Sequence, residues 1–348
     1  MQDIQNSSLR SAVFDKVGNF LWKAGFKPDD ILQSGVVDII NLISDYYEEG
    51  KALYPEVLLV NDLKFLEPIV HKIIPISSSS LTPDDFKLAI KLCAPLAVNG
   101  WLIFVEIKNE CISYGLVSAE IDETSPSMYS QTVGELKGSI GKYAAAYIKN
   151  VGQKAVEVAV VSSRLIVELS LEEPKDYSQN EVHKLCVAIT EKCDEHIKIK
   201  LKTYLEKLLD ETFKIGHGNL VGVINDDEEN ITNIKDQLKV SGGIYLEQPV
   251  NFETLLLQVD QNKDSQSSTD LRLHASLLSS MLNHDGITII SNKARIIGYH
   301  LLIDTYINDG DKINGGSRSK AHLSMSNSGF FEFCFYKSQD GNLKFWKK

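Results

Sequence analysis

Long apolar runs are missing from this chain: its 348 residues contain no stretch of about 18 uninterrupted apolar residues, so the pattern of a membrane-crossing helix is absent. The first ten residues, MQDIQNSSLR, lack the basic start and apolar core of a secretory signal, and the expectation that follows is a cytoplasmic protein. Cysteine is scarce. The five present, Cys93, Cys111, Cys186, Cys193 and Cys334, are an odd number dispersed over a long chain, which suits reduced, buried thiols better than a disulfide framework. Positive charge is in deficit, with 36 Lys and Arg against 47 Asp and Glu for a net charge of -11. That balance argues against a nonspecific nucleic-acid binder and against a surface that clings to anionic lipid, so any nucleotide site has to be a local basic pocket. No internal period points to a repeat protein.

What is present is a globular composition, 43% hydrophobic, in a chain long enough for two domains or one large one. The spacing predicts two helices over 9–50, the second (DILQSGVVDIINLISDYYEEG) stopped by Gly50. PEVLLVND (55–62) reads as a buried strand. SSSSLTPDDF reads as a loop leading into a helix capped by Thr82, with Pro83 at its first position. Hairpins are expected at 100–117, turning at Lys108-Asn109-Glu110, and at 155–171, turning at Ser162-Ser163, with a helix over 130–152 between them. The expected organisation is α+β: an α+β domain at 1–173, a long linking helix at 174–213, and a mixed β-sheet domain flanked by helices at 214–348.

The linking stretch carries His183, Cys186, Cys193 and His196, residue types that zinc uses. On one continuous helix, at about 1.5 Å rise per residue, the two cysteines stand on the order of 10 Å apart, too far for one tetrahedral ion. Two core cysteines on a helix face are the better reading. Beyond Gly216 the pattern turns to strands: GNLVGVI (218–224), an acidic turn DDEEN, a short helix at 251–259 opened by Asn251, and a polar loop at 261–270. A helix LHASLLSSML, a strand pair at 286–303, a long polar loop and two closing strands complete the pattern. His217, His274 and His300 fall near strand ends or on an apolar helix face and read as structural.

Two stretches combine charge with a permissive backbone. In NHDGITII an imidazole and a carboxylate, His284 and Asp285, stand directly before a buried strand, where Asp can hold a divalent metal or accept a proton from a sugar hydroxyl. In NGGSRSKA (314–321), two glycines are followed by a serine and two cations, so that backbone N–H groups could approach a phosphate that Arg318 and Lys320 neutralise. Taken singly, Asp-Gly is a common turn and Gly-Gly-Ser a common loop.

Their order changes that weighting. The strand GNLVGVI, the turn His284-Asp285-Gly286, the loop Gly316-Ser317-Arg318-Ser319-Lys320-Ala321 and the late Ser338-Gln339-Asp340, over 214–348, resemble the diadenylate cyclase domain. That family shows G-A-L-I-V-I, L-H-D-G-A, G-T-R-H-R-A and S-E-E in the same order. The resemblance implies two facing ATP molecules, each ribose 3′-hydroxyl attacking the other's α-phosphate to release pyrophosphate and give cyclic di-AMP. It would place Asp285 at the ribose hydroxyl and at a Mg²⁺ or Mn²⁺, with His284 and Asp340 as further metal candidates. Gly286, Gly316, Ser317, Arg318, Ser319, Lys320 and Ser338 would hold the nucleotide, and Leu246, at the end of GGIYL, would lie near the base.

The departures bear on activity. Arg-Ser-Lys replaces Arg-His-Arg, which removes an imidazole and turns a bidentate guanidinium into an ammonium, and Gln339 replaces an acid. Losing a metal-ligand charge weakens transition-state neutralisation more than ground-state binding. The first half, with YYEEGKALYPEVLLV and the 100–117 hairpin, is similar to divergent nucleotide-sensor members of the superfamily found beside antiviral conflict-system effectors, although EEGK also reads as a helix end. The leading expectation is a sensor that binds ATP or a dinucleotide and signals to an effector protein. The alternative is an active diadenylate cyclase working as a homodimer, and a third class is an interaction protein with a vestigial pocket.

Overall fold

A computed structural model describes residues 9–67, 69–120, 125, 143–152, 154–160, 163–169, 180–215, 218–237, 243–303, 316–338 and 343–348. The fold is α+β, and the chain divides into two compact units, Met1–Asp176 and Tyr177–Lys348. Among the described residues no helix is long and apolar enough to cross a membrane.

In the first unit α1 (Leu9–Lys23) is followed by α2 (Asp30–Ile43), which Asp29 opens by accepting the Leu32 N–H at 2.9 Å. Leu32, Val36, Ile39, Ile40 and Ile43 bury one face at helical spacing. The helix ends seven residues before the predicted stop. Gly50 belongs instead to a hairpin of β1 (Tyr46–Glu48) and β2 (Lys51–Leu53), with Glu49 and Gly50 at φ 49 and 79, both positive as a two-residue type I′ turn requires. A side chain distant in sequence meets the end of α2: the buried Asn150 amide donates to the carbonyls of Ile43 (3.0 Å) and Ser44 (2.8 Å), groups that a helix end leaves open.

The remaining strands are β3 (Val57–Val60), β4 (Lys72–Ser80), β5 (Leu102–Lys108), β6 (Cys111–Ser118), β7 (Ala145–Gly152), β8 (Ala155–Val160) and β9 (Ser163–Glu168), with α3 (Pro83–Cys93) between β4 and β5. They form one sheet ordered β4-β6-β5-β3-β7-β8-β9, in which only β3 and β5 run parallel. Helix α3 starts where expected, the Asp85 carboxylate accepting the Thr82 N–H at 3.1 Å. Both hairpins are present; the first turns on Asn109 and Glu110, and in the second Val160 pairs with Ser163, which begins a strand instead of the expected turn, residues 161–162 lying outside the described residues.

Two expectations are corrected here. Ser77–Ser80 are not a loop but the outer end of β4, paired with β6, because an edge strand needs no apolar side chains on its open side. The segment 145–152 is a strand, not a helix: Ala145, Ala146, Tyr147 and Ile148 are buried between layers, and burial in a sheet overrides the helix propensity of alanine. The rest of that predicted helix, 130–142, lies outside the described residues. The three helices cover one sheet face through Val36, Ile40, Phe86 and Ile90, while Phe65 and Leu66 pack on the other against Leu58, Phe104 and Tyr147.

The second unit begins with a further correction. The single linking helix is two helices, α4 (Asn180–Ile189) and α5 (Glu195–Ile215), and both supply this unit's core through Leu185, Ile189, Ile197, Leu201 and Leu209. The break at 190–194 is held by hydrogen bonds: Lys192 N–H to the Asn292 carbonyl (2.8 Å), and the Asp194 carboxylate accepting the His196 N–H (2.8 Å) as the cap of α5.

There follow β10 (Asn219–Ile224), α6 (Glu228–Gln237), β11 (Ile244–Asn251), α7 (Phe252–Asn262), α8 (Ser265–Leu282), β12 (Ile287–Ser291), β13 (Arg295–Leu301), α9 (Ser317–Asn327), β14 (Phe333–Lys337) and β15 (Leu343–Lys347). The acidic turn opens α6, where Glu228 and Glu229 meet the positive end of the helix dipole. The polar loop at 261–270 shrinks to Lys263, left-handed at φ 51, and Asp264, which caps α8 by accepting the Ser267 N–H at 2.7 Å. The sheet order is β11-β13-β12-β10-β14-β15, with β10 and β12 parallel. Helices α4, α5, α7 and α8 pack on one face and α6 and α9 on the other, so β10 is buried along its whole length, as a strand covered on both faces must be.

Asn150→Ala removes the amide that serves the end of α2 and leaves two carbonyls short of a donor. The expected loss is about 1–3 kcal/mol of stability, read as a lower urea midpoint with an unchanged m-value.

Candidate functional site

The carboxyl ends of β10 and β12 are closed by polar contacts: Asp226 accepts Arg295 at 3.1 Å, and Asn292 Oδ1 accepts the Asp226 N–H at 3.0 Å. The amino end of β12 is different. Helix α8 stops at Leu282, whose carbonyl accepts the Asn219 amide at 2.7 Å, and the chain reverses through Asn283, His284, Asp285 and Gly286 into β12. Gly286 has φ 102, and a Cβ there would stand 2.8 Å from the His300 carbonyl carbon, so both conformation and space require glycine.

His300 faces that turn from a bulge in β13. Ile287 pairs with Leu301 and Ile289 with Gly298, so Thr288 is opposed by two residues, Tyr299 and His300. His300 is left-handed, φ 57, and its Nδ1 lies 2.5 Å from the Asp285 carbonyl oxygen. A carbonyl only accepts, so this nitrogen carries the proton. His284 Nδ1 lies 3.3 Å from the same oxygen. The two imidazoles meet edge to face with centroids 4.4 Å apart, and the Tyr299 ring meets His284 at 5.9 Å.

The basic stretch is brought in by a helix where a loop was expected. Gly316 is the N-cap of α9, and Ser317, Arg318, Ser319 and Lys320 form its first turn, where backbone N–H groups lack intrahelical partners. The helix sits close to the sheet because Gly222 of β10 carries no side chain: a Cβ there would stand 2.3 Å from Phe331 and 3.0 Å from Met325 of α9. Arg318 Nη2 donates to Asp285 Oδ1 at 3.1 Å across 33 positions of sequence. The Asp285 side chain is 70% exposed and that of Arg318 30%, so the pair contributes about 0–1 kcal/mol.

The expected residues therefore divide. His284, Asp285, Gly286 and Arg318 come together, and Gly316, Ser317, Ser319 and Lys320 share the exposed helix start around Arg318. Leu246 lies on β11 packed against the helical core, and Ile244 is the residue opposite Tyr299. Ser338 is buried just after β14, while Gln339, Asp340, Asn314, Gly315 and His217 lie outside the described residues. His300, read from sequence as structural, is part of the cluster. Only the bulge turns it there, and an isolated RIIGYHLLI run gives no sign of a bulge.

The zinc pattern does not assemble. Its helix is broken, yet Cys186 and Cys193 are core residues whose thiols burial pushes up, Cys193 to about 12. His183 pairs with Glu206 at 2.7 Å. Among the described residues no three His, Cys, Asp or Glu side chains are grouped to hold a metal ion. No family model matches this chain, and no curated protein matches it.

Lys337 ends β14 opposite Asn219, whose buried Oδ1 has no partner among the described residues. Burial holds the Lys337 ammonium down to about 8 from an ordinary 10.5. The unfolded chain then binds that proton more tightly. Between pH 8 and 10.5 this lysine makes the fold more stable as pH rises, and below 8 its penalty is fully present. In urea titrations from pH 7 to 10.5, Lys337→Met is expected to be more stable than the parent at pH 7, with the advantage shrinking as pH rises.

Proposed function

We propose that the second unit binds a nucleotide, ATP or a dinucleotide, with the phosphates on Arg318 and the first turn of α9 and the sugar side toward Asp285. The observation that carries this reading is the Arg318–Asp285 contact, which joins two stretches 33 residues apart, both singled out from sequence for phosphate and ribose chemistry. A guanidinium binds phosphate with two parallel N–H donors, and an exposed carboxylate is a weak competitor for it. Open N–H groups at the start of α9 and its dipole add to the attraction for an anion. The net charge of -11 keeps this basic spot local, which favours a small anionic ligand over a nucleic acid. The first unit is the candidate relay to an effector protein.

The site fits ligand binding better than cyclisation. Arg318 holds Asp285 Oδ1, and the proposed binding calls on neither Mg²⁺ nor Mn²⁺. Ser319 places a hydroxyl where an imidazole would have been available for proton transfer.

Titration calorimetry of the whole chain with ATP tests the reading. Arg318→Ala is expected to weaken ATP at least about tenfold, in line with the about 1.5–3 kcal/mol of a hydrogen bond to a charged group. Asp285→Asn removes the competing carboxylate and should keep or raise affinity. Heat from no nucleotide overturns the proposal. Conversion of ATP to cyclic di-AMP with Mg²⁺ or Mn²⁺, lost in Asp285→Asn, replaces it with the cyclase reading.

A further inference from the structure

The ring cluster beside the Asp285–Arg318 pair has a chemistry that phosphate binding does not use. His284 is exposed and His300 and Tyr299 are partly exposed, so three rings present surface beside a guanidinium. Successive residues of a regular strand point to opposite faces, and the bulge at Thr288 is what lets Tyr299 and His300 both stand near His284. The backbone holds His300 in a left-handed conformation that a bulky L-residue rarely adopts. Its ring is oriented by the bond from Nδ1–H to the Asp285 carbonyl. With that proton on Nδ1, the neutral ring keeps Nε2 as an acceptor.

We infer that His284 and His300 form the base subsite of the nucleotide site: a purine stacks on the exposed ring of His284, and His300, standing edge to face with that ring, offers its Nε2 to the base edge while Arg318 holds the phosphates. The inference rests on the nucleotide reading above and names what that reading left open. Inorganic phosphate has no use for ring surface, and a free base has none for the guanidinium; a nucleotide uses both. Base stacking on aromatic side chains is worth about 1–3 kcal/mol, enough to give a nucleotide roughly tenfold or more over its bare phosphate chain. The Nε2 acceptor of His300 selects further: it suits a base with an exocyclic amine, such as adenine, and disfavours hypoxanthine, which presents a carbonyl there. The base therefore lies at the β12–β13 end of the site.

The test compares ATP, inosine triphosphate and inorganic tripolyphosphate by calorimetry on the whole chain. In the parent protein ATP is expected to bind at least about tenfold tighter than tripolyphosphate and tighter than inosine triphosphate. His284→Ala should lose most of the ATP advantage over tripolyphosphate, and His300→Ala the preference over inosine triphosphate. Arg318→Ala should weaken all three. If His300→Ala does not fold, His300→Gly, which takes the left-handed backbone without penalty, is read the same way. A parent protein with no ATP advantage over tripolyphosphate, a His284 variant that keeps the ATP to tripolyphosphate ratio, or a His300 variant that keeps the preference for ATP over inosine triphosphate overturns the base subsite while leaving phosphate binding at Arg318 standing. Failure of all three probes to bind the parent overturns both.

Discussion

The second unit depends on the parallel pairing of β10 with β12, a pair buried on both faces at the middle of a mixed sheet. Parallel neighbours need a long crossover, and here α6, β11, α7 and α8 supply it. The crossover must end where β12 begins, so the reversal at 283–286 falls beside the start of β10, where Asn219 ties down the last carbonyl of α8. Once β12 is threaded in register, Asp285 is carried to the sheet end as a matter of chain geometry.

Two local deviations then make a site of that end. Gly286 turns without a side chain against the His300 backbone, and the bulge in β13 brings an imidazole across to the Asp285 carbonyl. On the opposite face Gly222 gives α9 room to lie near the sheet, and the first turn of that helix delivers Arg318 to the Asp285 carboxylate. The opposite end of the same strand pair is closed by Asp226, Arg295 and Asn292. One end is thereby closed, while at the other the Asp285 carboxylate stays exposed.

Much of the local structure was legible. The cap at Thr82, the cap at Asn251, the hairpin turning at Asn109 and the buried runs of β3 and β10 follow from short-range rules of capping, turn conformation and burial, and all are present. The misreadings share a cause. Ala145 to Ile148 favour a helix locally and become a strand because both sheet faces around them are covered; the serines of β4 are a strand only because β6 pairs with them. The break between α4 and α5 depends on Asn292, about one hundred positions away.

The same division holds for the site. The sequence by itself determined which groups were available: a His-Asp-Gly reversal before a buried strand, and a Gly-Ser-Arg-Ser-Lys stretch whose residue types suit phosphate. Composition set the acidic background against which any basic pocket had to be local. Only the tertiary structure decided that the two stretches meet, that the second begins a helix, and that His300 stands at the Asp285 turn. The physical reason is range: capping and turn preferences act over a few residues, whereas strand register, bulge placement and helix docking are set by burial and hydrogen bonding between segments far apart in the chain.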